Sequence, residues 1–101
     1  MDRRLELHQI LVNILESNNV YFQPPATIHL NYPCIIYQRA KIAQKYANNI
    51  TYNDIVRYDI ILITRDPDTE LVDKLLELPY CSYDRYYAAD GLNHDTFTIY
   101  Y

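Results

Sequence analysis

Apolar residues at Leu5, Leu7, Ile10, Leu11, Val12, Ile14 and Leu15 recur at helical spacing, with Glu6, Gln9, Asn13 and Glu16 on the other side. That pattern predicts an amphipathic helix over 2–17. Asn18-Asn19 is expected to break it, and Gln23-Pro24-Pro25 to force an extended connection, because proline disfavours helix in the residue before it. Pro33 to Arg39 is a short β-branched run and reads as a strand buried on both faces or nearly so. The polar stretch from Ala40 to Asn53 carries the Asn48-Asn49 turn signal and fits a long hairpin arm or loop. From Ile55 to Arg65 comes the strongest strand, with Val56, Tyr58, Ile60 and Leu62 on one face. Its other face begins polar at Arg57 and Asp59 and turns apolar at Ile61 and Ile63.

Asp66-Pro67-Asp68 has the residues of a helix start: a capping carboxylate, a proline where a missing donor costs nothing, and a second acid at the positive end of the dipole. Leu71, Val72, Leu75, Leu76 and Leu78 supply its buried stripe until Pro79. Asp90-Gly91 can take the positive φ angles of a tight reversal, so Ser82–Ala88 and His94–Tyr101 are expected to pair as a hairpin. Phe97, Ile99 and Tyr101 then share one face, and Thr96, Thr98 and Tyr100 the other. The order helix, strand, arm, strand, helix, strand, strand predicts an α+β fold, a mostly antiparallel four-stranded sheet with two helices packed on one face. Residues 1–101 read as a single domain with an arm at about 40–53. Two short helices leave sheet edges and part of the second face for other chains to meet.

Composition narrows the chemistry. A formal net charge of -4 leaves no basic footprint for sequence-specific nucleic acid or an anionic membrane. No apolar run approaches the length of a bilayer span, and Met1-Asp2-Arg3-Arg4 lacks the apolar stretch of a signal peptide, so a cytoplasmic site of synthesis and assembly is expected. Cys34 and Cys81 are too few for a disulfide framework and read as small buried hydrophobes. His8, His29 and His94 have no metal-ligand spacing with one another or with cysteine.

Asp90, His94 and Asp95, with Ser82 or Cys81 across the hairpin, could form an acid-base cluster, but turn chemistry explains the same residues. Asp66, Asp68, Glu70 and Asp73 invite a cation reading; capping and dipole neutralisation account for all but Asp73, a solvated position. A single glycine excludes a glycine-rich phosphate loop. The reading is therefore of a protein without catalysis, cofactor or metal. Twelve tyrosines are more than a core of this size can hold, since each buried phenol needs a hydrogen-bond partner, and surface tyrosine favours protein interfaces.

Three stretches, "YPCIIYQRAKIAQKYANN", "YDIILITRDPDTELVDKL" and "LPYCSYDRYYAADGLNHDTFTIYY", resemble the small tail terminator proteins of long non-contractile-tailed bacteriophages and prophages of Gram-positive bacteria. The likeness spans about Tyr32 to Tyr101. The chain departs from the family pattern at Ala40 for an acidic residue, at Gln44 for threonine and at Gly91 for asparagine. The resemblance implies a virion protein at the head-tail junction, assembled in the host cytoplasm as a homohexameric ring. Such a ring ends tail-tube polymerisation, contacts the major tail tube protein and a head-side neck or connector protein, and lets DNA pass through; an acidic lumen would suit DNA that must slide past without sticking. A stopper or head-tail adaptor, or a dimeric α+β ligand-binding module, are the alternative readings. Charge and aromatic content near irregular or edge segments place the contacts at Lys41, Lys45, Tyr46 and Tyr52 on the arm and Asp84, Arg85, Tyr86 and Tyr87 on the hairpin.

Overall fold

A computed structural model describes the backbone of residues 2–42, 45–47, 50–52 and 56–101 and the side chains of 3–40 and 56–101. Helix α1 (Asp2–Leu15) leads into β1 (Val20–Phe22), β2 (Cys34–Ile42), β3 (Lys45–Ala47), β4 (Ile50–Tyr52) and β5 (Val56–Thr64). Helix α2 (Leu71–Leu76) and the hairpin β6 (Cys81–Ala89) and β7 (Leu92–Tyr100) follow. The main sheet has five strands in the order β1-β2-β5-β7-β6, and β3 pairs with β4 as a separate two-stranded ladder.

The α+β class and the four long strands agree with the hydrophobic pattern, and the sheet is larger than expected. Val20–Phe22 pairs parallel with β2, in register Val20↔Ile35 to Phe22↔Tyr37, which makes the sheet mixed. Three residues ahead of a proline pair are too short to show alternation, so the pairing comes from β2 rather than from local pattern. The remaining pairings in the main sheet are antiparallel.

Both helices lie on one face. Leu7, Leu11 and Leu15 of α1 and Leu75 of α2 close over Ile35, Tyr37, Tyr58, Ile60, Leu62, Phe97 and Ile99. Each fully buried aliphatic or aromatic side chain in such a core contributes about 1.5–3 kcal/mol relative to exposure. Of the apolar residues expected to form the stripe of α1, Leu5 instead faces solvent at 58% exposure. The helix stops at Leu15, ahead of Asn18-Asn19, because Glu16 turns into the left-handed region (φ 57) while its amide still bonds to Val12 O.

Helix α2 is shorter than its sequence suggests. Asp66 Oδ1 accepts from the Asp68 amide at 2.9 Å, closing an Asx turn in which Pro67 is a turn residue, not the first helical position. The helix begins at Leu71, whose amide donates to Thr69 Oγ1, and the preceding Glu70 makes no side-chain cap. The final hairpin closes as expected: Ala89 pairs with Leu92, and Asp90 and Gly91 take φ values of 54 and 74. In the segment anticipated as an arm, Lys45 pairs with Tyr52 and Ala47 with Ile50; the Asn48-Asn49 turn itself lies outside the described residues.

Candidate subunit-docking edge

Strand β6 ends the main sheet, with β7 on one side and, among the described residues, no strand on the other. Its residues from Ser82 to Tyr86 are all exposed, a long edge of the kind native proteins blunt or pair. Between Tyr83 and Arg85 the register shifts by one residue, so Asp84 is the extra residue of a bulge. The shift sorts the side chains. Tyr83 and Tyr86 stand opposite Phe97 and Asp95 on the helix-bearing face, whereas Arg85 and Tyr87 stand opposite Thr96 and His94 on the outer face. Asp84 joins the outer set, its Oδ2 accepting from Thr96 Oγ1 at 3.1 Å.

These side chains are held in place. The Tyr83 hydroxyl donates to Asp95 Oδ1 at 2.7 Å, and its ring meets Phe97 edge-on at 5.4 Å between centroids. Partial burial, followed by the hydrogen bond and charge of Asp95, pushes the Tyr83 phenol up to about 12. Tyr86 donates to Asn93 Oδ1 at 2.7 Å yet remains 54% exposed. On the outer face the Arg85 guanidinium lies 5.2 Å from the centre of the Tyr87 ring, which stacks on His94 at 4.7 Å and 17°. Tyr87 is therefore half-buried in a stack, not a free ring. An edge with its aromatic rotamers already fixed loses less entropy when it docks.

Tyr80 and Tyr100, absent from the expected contacts, are exposed as well. Tyr80 is 81% exposed in the turn before β6 at φ 60, a region costly for a bulky residue. It borders a groove of about 240 Å³ with Arg3, Leu7, Leu78 and Tyr101. Sequence carries no sign of a left-handed tyrosine, because the usual marker there is glycine or asparagine. Tyr101 is instead tied to α1: its hydroxyl donates to Glu6 Oε2 at 3.2 Å, and Arg3 Nε donates to its carbonyl at 2.8 Å.

The other expected contact residues lie elsewhere. Lys41 is in β2, opposite Arg57, with β5 and β7 between it and β6. Lys45 and Tyr52 face each other across the β3–β4 ladder and Tyr46 is opposite Thr51; the side chains of all four lie outside the described residues. Of the two expected groups, the structure therefore relates only Lys41 to the hairpin, two strands away in the same sheet.

The acid-base cluster considered from sequence does not assemble. Asp95 points to the helix-bearing face and His94 to the outer one, while Ser82 pairs with Thr98, four residues from His94 along β7. Asp66 is occupied by its own turn, and among the described residues no three His, Cys, Asp or Glu side chains group as metal ligands. Cys34 is fully buried and its thiol is raised to about 11 by burial; Cys81 is half-buried and raised for the same reason. No helix of the described residues is long and apolar enough to cross a membrane.

One polar cluster had no signal in sequence. The hydroxyl of Tyr37, a residue with no exposed surface, accepts from Arg4 Nη1 at 3.2 Å and lies 2.7 Å from His8 Nδ1. Burial, then the Arg4 charge, lowers the His8 pKa, which favours the neutral ring; which of the two groups donates in the Nδ1–hydroxyl contact depends on the tautomer. Burial raises the Tyr37 pKa, with Arg4 opposing. This cluster ties α1 to β2.

No protein-family model, curated protein or solved structure matches this chain.

Proposed function

We propose that this chain is a structural virion subunit resembling a tail terminator: a ring of six copies on the head-proximal end of a non-contractile tail tube. It ends tube polymerisation and offers a surface for head-tail joining. The observation that carries the reading is β6, a nine-residue edge strand with its central side chains exposed and its aromatic residues already positioned. The motifs from about Tyr32 to Tyr101 support the particular family.

A cyclic ring needs two different surfaces, one donated and one received at each boundary. Two positions support separate surfaces: β6 ends the sheet on one side, and Lys41 lies in β2, with β5 and β7 between them. The reading assigns Asp84, Arg85, Tyr86 and Tyr87 to one surface and Lys41, Lys45, Tyr46 and Tyr52 to the surface received from a neighbour. Its partners are further copies of itself, the major tail tube protein and a head-side neck protein.

The test mixes purified protein with purified, still-elongating tail tubes and scores tube ends by electron microscopy. Capped ends of halted tubes are expected, with capping reduced by Arg85→Glu and by Tyr46→Ala. Tubes that keep elongating with bare ends overturn the reading, as does binding confined to the portal side.

A further inference from the structure

The outer edge of β6 is self-complementary, and we infer that away from the tube two copies of this chain pair through it, β6 antiparallel to β6 about a two-fold axis. The axis passes between Asp84 and Arg85. Asp84 then faces Arg85 of the second copy twice over, and Tyr83 faces Tyr86 of the second copy on the other side of the sheet.

The bulge makes this arrangement feasible. In a regular strand, a two-fold centred between adjacent residues would oppose a side chain from one face to a side chain from the other, because successive residues alternate. Here Asp84 and Arg85 both belong to the outer face, as the Asp84–Thr96 hydrogen bond and the Arg85–Tyr87 contact show. Tyr83 and Tyr86 both belong to the helix-bearing face, opposite Phe97 and Asp95. Ser82 and Tyr87, opposite Thr98 and His94, match on the outer face in the same register. Every pair across the axis therefore shares a face, with unlike charges at the centre and aromatic pairs beside them, the cross-strand combinations that stabilise antiparallel sheets.

The same features act against a foreign strand. Charges and a bulge in mid-edge ordinarily deter pairing. A second copy of β6 carries the matching charges and the matching bulge in reversed order. Unlike charges supply register and specificity more than strength, and an edge contact of this length belongs to the small, reversible class.

An isologous pair cannot close a six-membered cyclic ring, which uses heterologous contacts. The inference consequently goes beyond the ring reading and describes the chain in solution, with β6 occupied until ring contacts replace it. Tube capping tests the ring and has no bearing on this pair.

The test is light scattering of the purified chain over a concentration series up to about 100 µM, the range in which small reversible interfaces form. The expected mass is twice the 12.1 kDa chain mass at the top of the series, falling toward one chain on dilution. Asp84→Arg alone sets two pairs of arginines face to face, and Arg85→Asp alone sets two pairs of aspartates so. Each is expected to weaken pairing at least about ten-fold. The double exchange Asp84→Arg/Arg85→Asp restores it, because the two-fold re-forms both unlike pairs.

Circular dichroism checks that these exposed-site variants remain folded. On the unaltered chain, hydrogen exchange of β6 amides is expected to slow as concentration rises. A single-chain mass throughout the series overturns the inference. So does a larger species indifferent to both single exchanges, or a double exchange no better than the singles.

Discussion

Removing one oxygen from Tyr37 tests the cluster that joins α1 to the sheet. Tyr37→Phe keeps the ring, and with it the packing on Phe22 at 5.0 Å and on Tyr58 at 6.0 Å between centroids. It deletes the hydroxyl that meets Arg4 Nη1 at 3.2 Å and His8 Nδ1 at 2.7 Å. A typical intramolecular hydrogen bond contributes about 0.5–1.5 kcal/mol net, and more when one partner is charged. Arg4 and His8 are only half-buried, so water reaches them after the change and the full penalty for an orphaned buried group does not apply. Phenylalanine also recovers the desolvation cost of the phenol oxygen. The expected loss is about 1–2 kcal/mol, which for a domain of this length lowers Tm by roughly 5–10 °C. Urea unfolding followed by far-ultraviolet circular dichroism should show a lower midpoint at unchanged m. A double-mutant cycle with His8→Ala should return a coupling of about 0.5 kcal/mol or more. A Tm unchanged or raised by Tyr37→Phe, with no coupling to His8, would refute the view that this hydroxyl fastens α1 to β2.

The cluster also sets a pH dependence. Because the folded-state pKa of His8 lies below its ordinary 6.5, its contribution is present above pH 6.5 and is lost as pH falls toward the folded value, so Tm should decline from neutral to mildly acid pH. Arg4→Ala, which removes the smaller cause and leaves burial, should bring the His8 titration seen by NMR part of the way back. Tyr83 has the opposite sense: with its phenol raised from 10.0 to about 12, its contribution is intact below pH 10 and is lost as pH climbs through the folded value. Ultraviolet difference titration of Asp95→Asn should show one tyrosine ionising earlier than in the unaltered protein. Tyr80→Gly should stabilise the chain by about 0.5–1 kcal/mol in thermal melts, since glycine accepts φ 60 without the strain that tyrosine bears there. Leu75→Ala should cost about 2–5 kcal/mol in chemical denaturation, because Leu75 is the fully buried side chain by which α2 holds the sheet.

The pattern of the chain alone determined the two helices, the four long strands, the faces of β5 and β7 and the Asp90-Gly91 reversal. Each depends on residues close in sequence: a 3.6-residue stripe, a two-residue alternation, or a dipeptide that tolerates positive φ. The surplus of tyrosine likewise announced an exposed aromatic surface, since Tyr37 and Tyr58 enter the core while Tyr80, Tyr83, Tyr86 and Tyr100 remain exposed.

Tertiary structure decided the rest. Val20–Phe22 became a strand because β2 offered its edge, and Asp66 closed a turn instead of capping α2 because the helix starts only where Leu71 and Leu75 can reach the core. Which rings belong to which face of β6 followed from the bulge at Asp84, a shift that no local motif encodes. The Arg4–His8–Tyr37 cluster joins residues about thirty positions apart, and a hydrogen bond between such positions exists only once both elements are packed. Local pattern specifies which backbone each segment prefers; partners, edges and shared faces are properties of the assembled sheet.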